Sequence, residues 1–177
     1  KHTIPLSYGA IGIAYRKSKF SEPPSTWRWL LDSDKYAGKI ALLGDGRTLI
    51  QIALKYMGVS LNTNDPMWIN QAEKLLKRQK VNIKDFGKKN GIELLINGEV
   101  DLAIVSNENF KNINDNDIGF TFPREGSLIW QDCACIPKSS IKVEESHSII
   151  NSMLDPKNSK SIAENLQTAT PNIMALD

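Results

Sequence analysis

The 177-residue chain is poor in the residues that metal sites and disulfide frameworks require, because it contains only two cysteines and two histidines. One residue separates Cys133 from Cys135, and a disulfide across so short a span would strain the backbone. His2 and His147 are distant from them in sequence and lack the spacing of metal ligands. The sequence therefore predicts neither a metal nor another cofactor, and we expect both cysteines to be small buried hydrophobes.

Long apolar runs and a strong charge imbalance are also absent. No run approaches the roughly 20 residues that span a bilayer, and a net charge of +2 gives no case for a nucleic-acid partner. A hydrophobic share of 41% with 24% charged residues is that of an ordinary globular protein. No charged-then-apolar signal segment opens the chain, and residues 1–5 resemble the middle of a protein. We therefore expect a processed product or a fragment.

Strand and helix patterns alternate along the chain, which indicates an α/β fold. Residues 4–15 are predicted to be a loop that leads into a strand. A strand over 39–43 is followed by Gly44-Asp45-Gly46-Arg47 and an apolar helix over 48–57, with Asp45 at the N-cap position. Further helices are predicted over 67–79, 91–97, 143–154 and 159–166.

A buried strand over 100–105 delivers Ser106, Asn107 and Glu108 at its carboxyl end. Ligands of open α/β sheets lie beyond the carboxyl ends of the strands. These polar residues are therefore candidates for contact with a ligand.

The most informative stretch is a predicted strand that follows turn-prone residues and ends before Pro137. Its period-two alternation gives one face that we expect to be core and another that is polar and aromatic. The expected core face carries Ile129, Gln131, Cys133 and Cys135, and the other carries Leu128, Trp130, Asp132 and Ala134. An indole beside a carboxylate is typical of cation recognition, although packing and capping account for such a pair as well.

Several short motifs occur in order along nearly the whole chain. They include Tyr36-Ala37-Gly38-Lys39, Asn97-Gly98-Glu99-Val100-Asp101, Pro123-Arg124-Glu125-Gly126 and Trp130-Gln131-Asp132. In this series the chain resembles the periplasmic spermidine/putrescine-binding proteins of bacterial ABC importers.

The resemblance implies a type II periplasmic-binding fold, in which two α/β lobes hold a ligand in the cleft between them. Residues 17–117 correspond to a nearly complete second lobe. Residues 1–16 and 118–177 correspond to the hinge strands and the returning part of the first lobe. The family's N-terminal segment and C-terminal tail have no counterpart in these 177 residues.

The resemblance also implies a binding set of carboxylates for the ammonium groups and aromatic walls for the methylene chain. The matching positions are Asp45, Trp130 and Asp132, and Tyr8 stands where an aromatic residue is usual. At three positions the chain departs from the residue that the family pattern implies: Thr48 stands in place of a carboxylate, Ser106 in place of a Trp and Thr168 in place of a Tyr. Glu108 and Glu125 are candidates to replace the lost carboxylate.

The resulting hypothesis is an extracytoplasmic component of an ABC importer, either periplasmic or a lipoprotein, that binds a polyamine and works with a membrane permease. We expect no enzymatic activity, because the sequence shows no nucleophile–base pair and no carboxylate dyad at catalytic spacing. One alternative is an amino-acid or carboxylate ligand held by Arg47 and the following helix N-terminus. Another is a degenerate lobe kept as an interaction module.

Overall fold

The computed structural model describes residues 3–110, 113 and 115–175 of a mixed α/β chain. Its contacts divide the chain into two compact units. The larger unit is Ile11–Leu128, and the smaller is Lys1–Ala10 with Ile129–Asp177. The lobe expected over residues 17–117 lies within the larger unit.

The larger unit is built on a five-stranded open sheet with the order β3-β2-β4-β1-β5. Its strands are β1 (Ile4–Arg16), β2 (Ile40–Leu42), β3 (Ile83–Phe86), β4 (Leu102–Ser106) and β5 (Ile118–Thr121). Strand β2 is parallel to β3 and β4, whereas β1 is antiparallel to β4 and β5. The sheet is therefore mixed, and its parallel part carries the strand-to-helix connections.

Six α-helices accompany the strands in the described residues. They are α1 (Arg28–Leu31), α2 (Gly46–Tyr56), α3 (Pro66–Gln79), α4 (Gly91–Ile96), α5 (Val143–Leu154) and α6 (Pro156–Leu166). Four of them begin at a side chain that accepts a hydrogen bond from a first-turn amide, namely Asp45, Asp65, Asn90 and Asp155. These caps satisfy backbone donors that the helix itself leaves open.

A buried tryptophan anchors the core of the larger unit. Trp27 is fully buried, and its indole nitrogen donates to the carbonyl of Gly126 over 2.9 Å. The Glu125 carboxylate accepts from the Thr26 hydroxyl and, over 3.4 Å, from the Trp27 amide. Through these hydrogen bonds, Glu125 connects the turn at residues 123–126 to the start of α1.

The smaller unit pairs the first half of β1 with β6 (Ile129–Ala134) in antiparallel register. A register shift between Pro5 and Ser7 marks a bulge in β1. On its other edge, β1 exchanges two backbone hydrogen bonds between Tyr8 and Ala169, at 2.9 and 3.0 Å. Helices α5 and α6 complete this unit.

Two expectations from the sequence are wrong. Residues from Ile4 onward form a strand rather than a loop, because both edges of β1 find backbone partners far along the chain. Cys133 and Cys135 are exposed rather than buried. Ile129 is also exposed, so alternation correctly grouped the side chains of β6 but did not show which face is covered.

Across the described ranges, no helix has both the length and the apolar character needed to cross a membrane.

Candidate ligand-binding site

The carboxyl ends of the parallel strands bring several of the predicted residues to one edge of the sheet. Leu42, the last residue of β2, pairs with Phe86 at the end of β3, and Ala41 pairs with Ala103 of β4. Asp45 lies three residues beyond the end of β2, and Ser106 is the final residue of β4. The larger unit therefore presents Asp45 and Ser106 from the edge at which open α/β sheets bind ligands.

Asp45 caps α2, as the sequence predicted. Its carboxylate accepts from the Arg47 amide over 3.3 Å and from the Thr48 amide over 3.0 Å, and the Thr48 hydroxyl donates to it as well. The hydroxyl and amide of Thr48 are the main causes that lower the pKa of Asp45 below its usual 3.8. Because the side chain is exposed, it offers an ionised carboxylate to solvent while it caps the helix.

A close backbone contact fixes the turn that precedes Asp45. Gly87 has a φ of +69°, and a Cβ at that position would overlap the backbone nitrogen and Cα of Gly44. Glycine is therefore required at residue 87, both for its left-handed backbone and for the approach of the two chain segments. This contact ties the loop after β3 to the loop that delivers Asp45.

Three weaker candidates also belong to the larger unit. Thr48, which replaces an expected carboxylate, is half-buried and binds Asp45 through its hydroxyl. Ser106 is half-buried opposite Ile11 of β1. Glu108 lies in the short 3-10 helix Asn107–Phe110 and is half-buried too.

Trp130 and Asp132 share one face of β6 with Ser7 and Gly9 of β1, to which they are directly paired. The Ser7 hydroxyl donates to the Asp132 carboxylate over 3.2 Å, and Ser7 is only 2% exposed. Asp132 itself is exposed and Trp130 is half-buried. Because Gly9 has no side chain, nothing from that position of β1 covers the indole.

Tyr8 and Thr168 occupy different surroundings within the smaller unit. Tyr8 pairs with Gln131, so its side chain belongs to the opposite face of the β1–β6 pair from Trp130 and Asp132. Thr168 is buried and directly precedes Ala169, which bonds to the Tyr8 backbone. The structure therefore groups Trp130 with Asp132 and separates Tyr8 from them.

Sequence reasoning missed Ser7, which orients Asp132. No motif marks it, and only the strand register shows that residues 125 positions apart become neighbours. The described residues contain no group of three or more His, Cys, Asp and Glu side chains placed to hold a metal ion.

Comparison with known proteins assigns the chain to a family. The profile of the bacterial extracellular solute-binding protein family matches residues 2–175. The chain belongs to this family. The resemblance inferred from the motifs is thereby confirmed, together with the periplasmic-binding α/β fold.

Two curated relatives are spermidine/putrescine-binding periplasmic proteins. The protein numbered 1 from Haemophilus influenzae is 31% identical over 99% of this chain and 49% of its own length. The one from Escherichia coli is 31% identical over 98% of this chain and 51% of its own length. The chain thus spans about half the length of the curated relatives that it matches.

Solved structures agree with this assignment. The spermidine/putrescine ABC transporter substrate-binding protein of Streptococcus pneumoniae superposes with a TM-score of 0.83 at 27% identity, covering 99% of this chain and 55% of that one. A lipoprotein of Treponema pallidum gives a TM-score of 0.81 at 25% identity, covering 92% and 53%. Both matches extend over almost all of the present chain.

Proposed function

We propose that this solute-binding protein is the extracytoplasmic substrate-binding component of an ABC importer and that it binds a polyamine such as spermidine or putrescine. The observation that carries the proposal is the pair on β6, where the exposed Asp132 carboxylate lies on the same face as the Trp130 indole. An ammonium group is attracted by an indole face and forms a charge-assisted hydrogen bond with a carboxylate. No chemical step is assigned to the site.

Asp45 supplies a second cation-binding carboxylate, from the larger unit. Its carboxylate is ionised at neutral pH and exposed to solvent, so it remains available to an ammonium group. Asp45 in the larger unit, and Asp132 with Trp130 in the smaller unit, are therefore the candidate cation-binding groups. Tyr8, on the opposite face of the β1–β6 pair, is not assigned a contact.

The anionic alternative is disfavoured by the geometry of α2. Binding of a ligand carboxylate would use the free amides at the helix N-terminus. The amides of Arg47 and Thr48 already donate to Asp45, whose negative charge would repel a second carboxylate. The Arg47 side chain would then be left to bind the ligand carboxylate by itself, and because it is exposed, solvent screens that interaction.

The names of the relatives support the same ligand class. The Haemophilus influenzae and Escherichia coli proteins are named as binders of spermidine and putrescine, and the Streptococcus pneumoniae protein as part of an ABC transporter. By extension we propose a membrane permease as partner. The lipoprotein relative from Treponema pallidum makes lipid anchoring a further part of the proposal.

Titration followed by NMR tests the ligand class. We expect spermidine to shift the Trp130 indole N–H and the Thr48 amide in a saturable way. Glutamate at matched ionic strength should leave both resonances in place. Sodium chloride is the control for screening of exposed charges. Saturable shifts of the Arg47 and Thr48 amides with glutamate, and none with spermidine, would favour the anionic alternative.

A further inference from the structure

Three half-buried aromatic side chains of the larger unit, Phe20, Trp29 and Tyr36, form a cluster that the proposed function does not use. The ring of Phe20 stacks on that of Tyr36 with their centroids 4.9 Å apart, and Trp29 meets Tyr36 edge to face at 6.0 Å. Phe20 also meets the buried ring of Tyr15, on β1, edge to face at 5.5 Å. Both arrangements are favoured by the ring quadrupoles, so the cluster is anchored to the core through Tyr15.

The ammonium group of Lys35 lies over two of these rings. Its Nζ is 5.0 Å from the centroid of the Trp29 ring and 5.3 Å from that of Tyr36. Both distances are within the roughly 6 Å over which a ring face attracts a cation. In the described part of the chain, Lys35 forms no ion pair with a carboxylate. The rings are therefore what holds this ammonium group, and the chain already supplies an alkylammonium to them.

These rings line a cavity of about 270 Å³, which we call the aromatic cavity. Its lining is made of residues 19–25, Trp29, Lys35 and Tyr36. Lys19 and Lys35 are exposed, so their ammonium groups can move into solvent without uncovering the core. Glu22 contributes a carboxylate to the lining, which can accept a charge-assisted hydrogen bond from a ligand ammonium. The volume is below the roughly 300–1,000 Å³ of sites for drug-sized ligands, so it suits a short amine.

The chain segment that forms one wall of the aromatic cavity is held in place before any ligand arrives. The Asp117 carboxylate accepts from the Ser18 amide over 2.7 Å and from the Ser18 hydroxyl over 2.8 Å, and this fixes the backbone just before Phe20. Pro23 and Pro24 follow, and each proline ring fixes its own φ. A preformed wall lowers the ordering cost that a ligand would otherwise meet.

We propose that the aromatic cavity is a second ammonium-binding site, which takes a short primary alkylammonium and which Lys35 otherwise occupies. The ligand ammonium replaces that of Lys35 over the Trp29 and Tyr36 rings, and the lysine side chain moves into solvent. Lys35 is therefore an internal competitor of the ligand. The proposal does not rest on the proposed function, because Asp45, Trp130 and Asp132 are not part of this lining.

NMR titration with n-butylammonium chloride tests the site, because this cation reproduces the side chain of lysine. We expect a saturable shift of the Trp29 indole N–H and of the Tyr36 amide. The Trp27 indole N–H is the internal reference, since it is buried and donates to the Gly126 carbonyl. Butan-1-ol has a similar shape without the charge and should shift neither Trp29 nor Tyr36, and sodium chloride controls for ionic strength. Equal shifts with butan-1-ol, or no saturable shift with n-butylammonium, would overturn the proposal.

Removal of the internal competitor gives a second test with an unusual sign. Lys35→Gln should strengthen n-butylammonium binding by about two- to fivefold, the worth of an exposed cation–π contact. Lys84→Gln is the matched control, because it removes one positive charge at another exposed position of the larger unit, on β3. It should leave the affinity nearly unchanged. A loss of affinity in Lys35→Gln, or an equal gain in both variants, would contradict the role of Lys35.

Substitution of one ring separates the aromatic contact from simple filling of the cavity. Tyr36→Leu should weaken n-butylammonium binding by about two- to fivefold, whereas Tyr36→Phe should preserve it because the ring face remains. Circular dichroism checks that both variants are folded. If Tyr36→Leu binds as tightly as the unchanged chain, the rings do not hold the ligand and the proposal fails.

Separate indole signals keep this proposal distinguishable from the proposed function. Trp29 reports on the aromatic cavity, and Trp130 reports on the candidate polyamine site. Trp130→Ala should leave the response of Trp29 to n-butylammonium intact. A response confined to Trp130 would overturn the second site and leave the proposed function standing.

Discussion

At the scale of single residues, Asp45 performs two tasks that different substitutions separate. Its carboxylate caps α2, and it is exposed to solvent as an ion. Asparagine caps a helix about as well as aspartate, while alanine costs about 0.5–2 kcal/mol. The uncharged amide of asparagine, however, lacks the charge that attracts an ammonium group to the carboxylate.

We therefore predict that Asp45→Asn leaves the free energy of unfolding nearly unchanged and weakens spermidine binding. An exposed ion pair is worth about 0–1 kcal/mol, so the loss should be at most about fivefold. Asp65→Asn is the matched control, because Asp65 caps α3 through the Met67 amide in the same manner. Urea unfolding and NMR titration of both variants measure the two quantities. Equal affinity losses in the two variants would show a general charge effect instead of a site.

The pKa of Asp45 gives a second prediction. Because the folded-state pKa is lowered, the ionised cap stabilises the protein above the unfolded value near 3.8, and this contribution is lost as pH falls through the folded pKa. In an NMR pH titration, the Asp45 side-chain carbon should have its midpoint below 3.8. Thr48→Val removes the donating hydroxyl and should raise that midpoint, whereas Thr48→Ser should keep it low. If Thr48→Val leaves the midpoint unchanged, the Thr48 hydroxyl is not a cause of the lowered pKa of Asp45.

Trp130 and Tyr8 lie on opposite faces of the β1–β6 pair and should therefore respond differently. We predict that Trp130→Ala weakens spermidine binding by about two- to fivefold, corresponding to a cation–π contribution of roughly 0.5–1 kcal/mol at an exposed site. Tyr8→Ala should have no effect on binding. The same NMR titration provides the measurement, with circular dichroism to confirm that both variants are folded. A larger loss for Tyr8→Ala would place the ligand on the Gln131 face.

At the scale of elements, local chemistry explains which parts of the fold the sequence could predict. The start of α2 was predictable to within two residues because Asp45 precedes it. Helix α6 begins at Pro156, three residues before the prediction, although Asp155-Pro156 is a recognisable N-cap followed by proline at the first helical position. Helices carry such signals in their own sequence.

The errors concern β1 and β6, whose surroundings come from distant parts of the chain. β1 was predicted to begin as a loop because glycines punctuate its apolar sequence, yet its pairing with β6 and Ala169 makes it a strand. Alternation along β6 grouped Ile129 with Cys133 correctly but could not show whether another layer packs on them. Long-range pairing decides both questions, and a local pattern does not contain it.

The close contact between Gly87 and Gly44, at the carboxyl ends of the parallel strands, gives a prediction about stability. We expect Gly87→Ala to destabilise the protein by more than the roughly 1–2 kcal/mol that a left-handed backbone costs an ordinary residue, because the new Cβ also overlaps the Gly44 backbone. Gly58→Ala is the matched control, since Gly58 has a φ of +73° with no atom within 4 Å of the added Cβ. Urea denaturation measures both free energies. Equal losses of unfolding free energy in the two variants would mean that the loops at Gly44 and Gly87 can move apart to make room for the added Cβ.

At the scale of the whole molecule, two kinds of sequence pattern predicted the candidate site, namely the series of family motifs and the local order of strands, turns and helices. The motif series predicted the family, and the strand–turn–helix pattern predicted that Asp45 caps α2. Neither could predict the Ser7 contact to Asp132 or the separation of Tyr8 from Trp130, which follow from the register of β1 against β6. The candidate residues, and the placement of Trp130 with Asp132 on one strand face, could therefore be predicted from the sequence, whereas their relation to Ser7 and Tyr8 could not.

The exposure of the binding groups gives the last prediction, which concerns affinity. Asp132 is exposed and Trp130 is half-buried, whereas small-molecule sites normally bury most of the ligand surface. An exposed ion pair contributes about 0–1 kcal/mol, and a cation–π contact adds roughly 0.5–1 kcal/mol. Their sum is well below the roughly 8 kcal/mol that micromolar binding requires. We therefore predict that the 177-residue chain binds spermidine with a Kd in the millimolar range or weaker.

Titration calorimetry on the 177-residue chain measures this affinity directly. Asp132→Asn should lower it by at most about fivefold, because an exposed ion pair is worth about 0–1 kcal/mol. Micromolar binding by the chain alone would contradict the prediction, since it would require the ligand to be buried by groups that these 177 residues already supply.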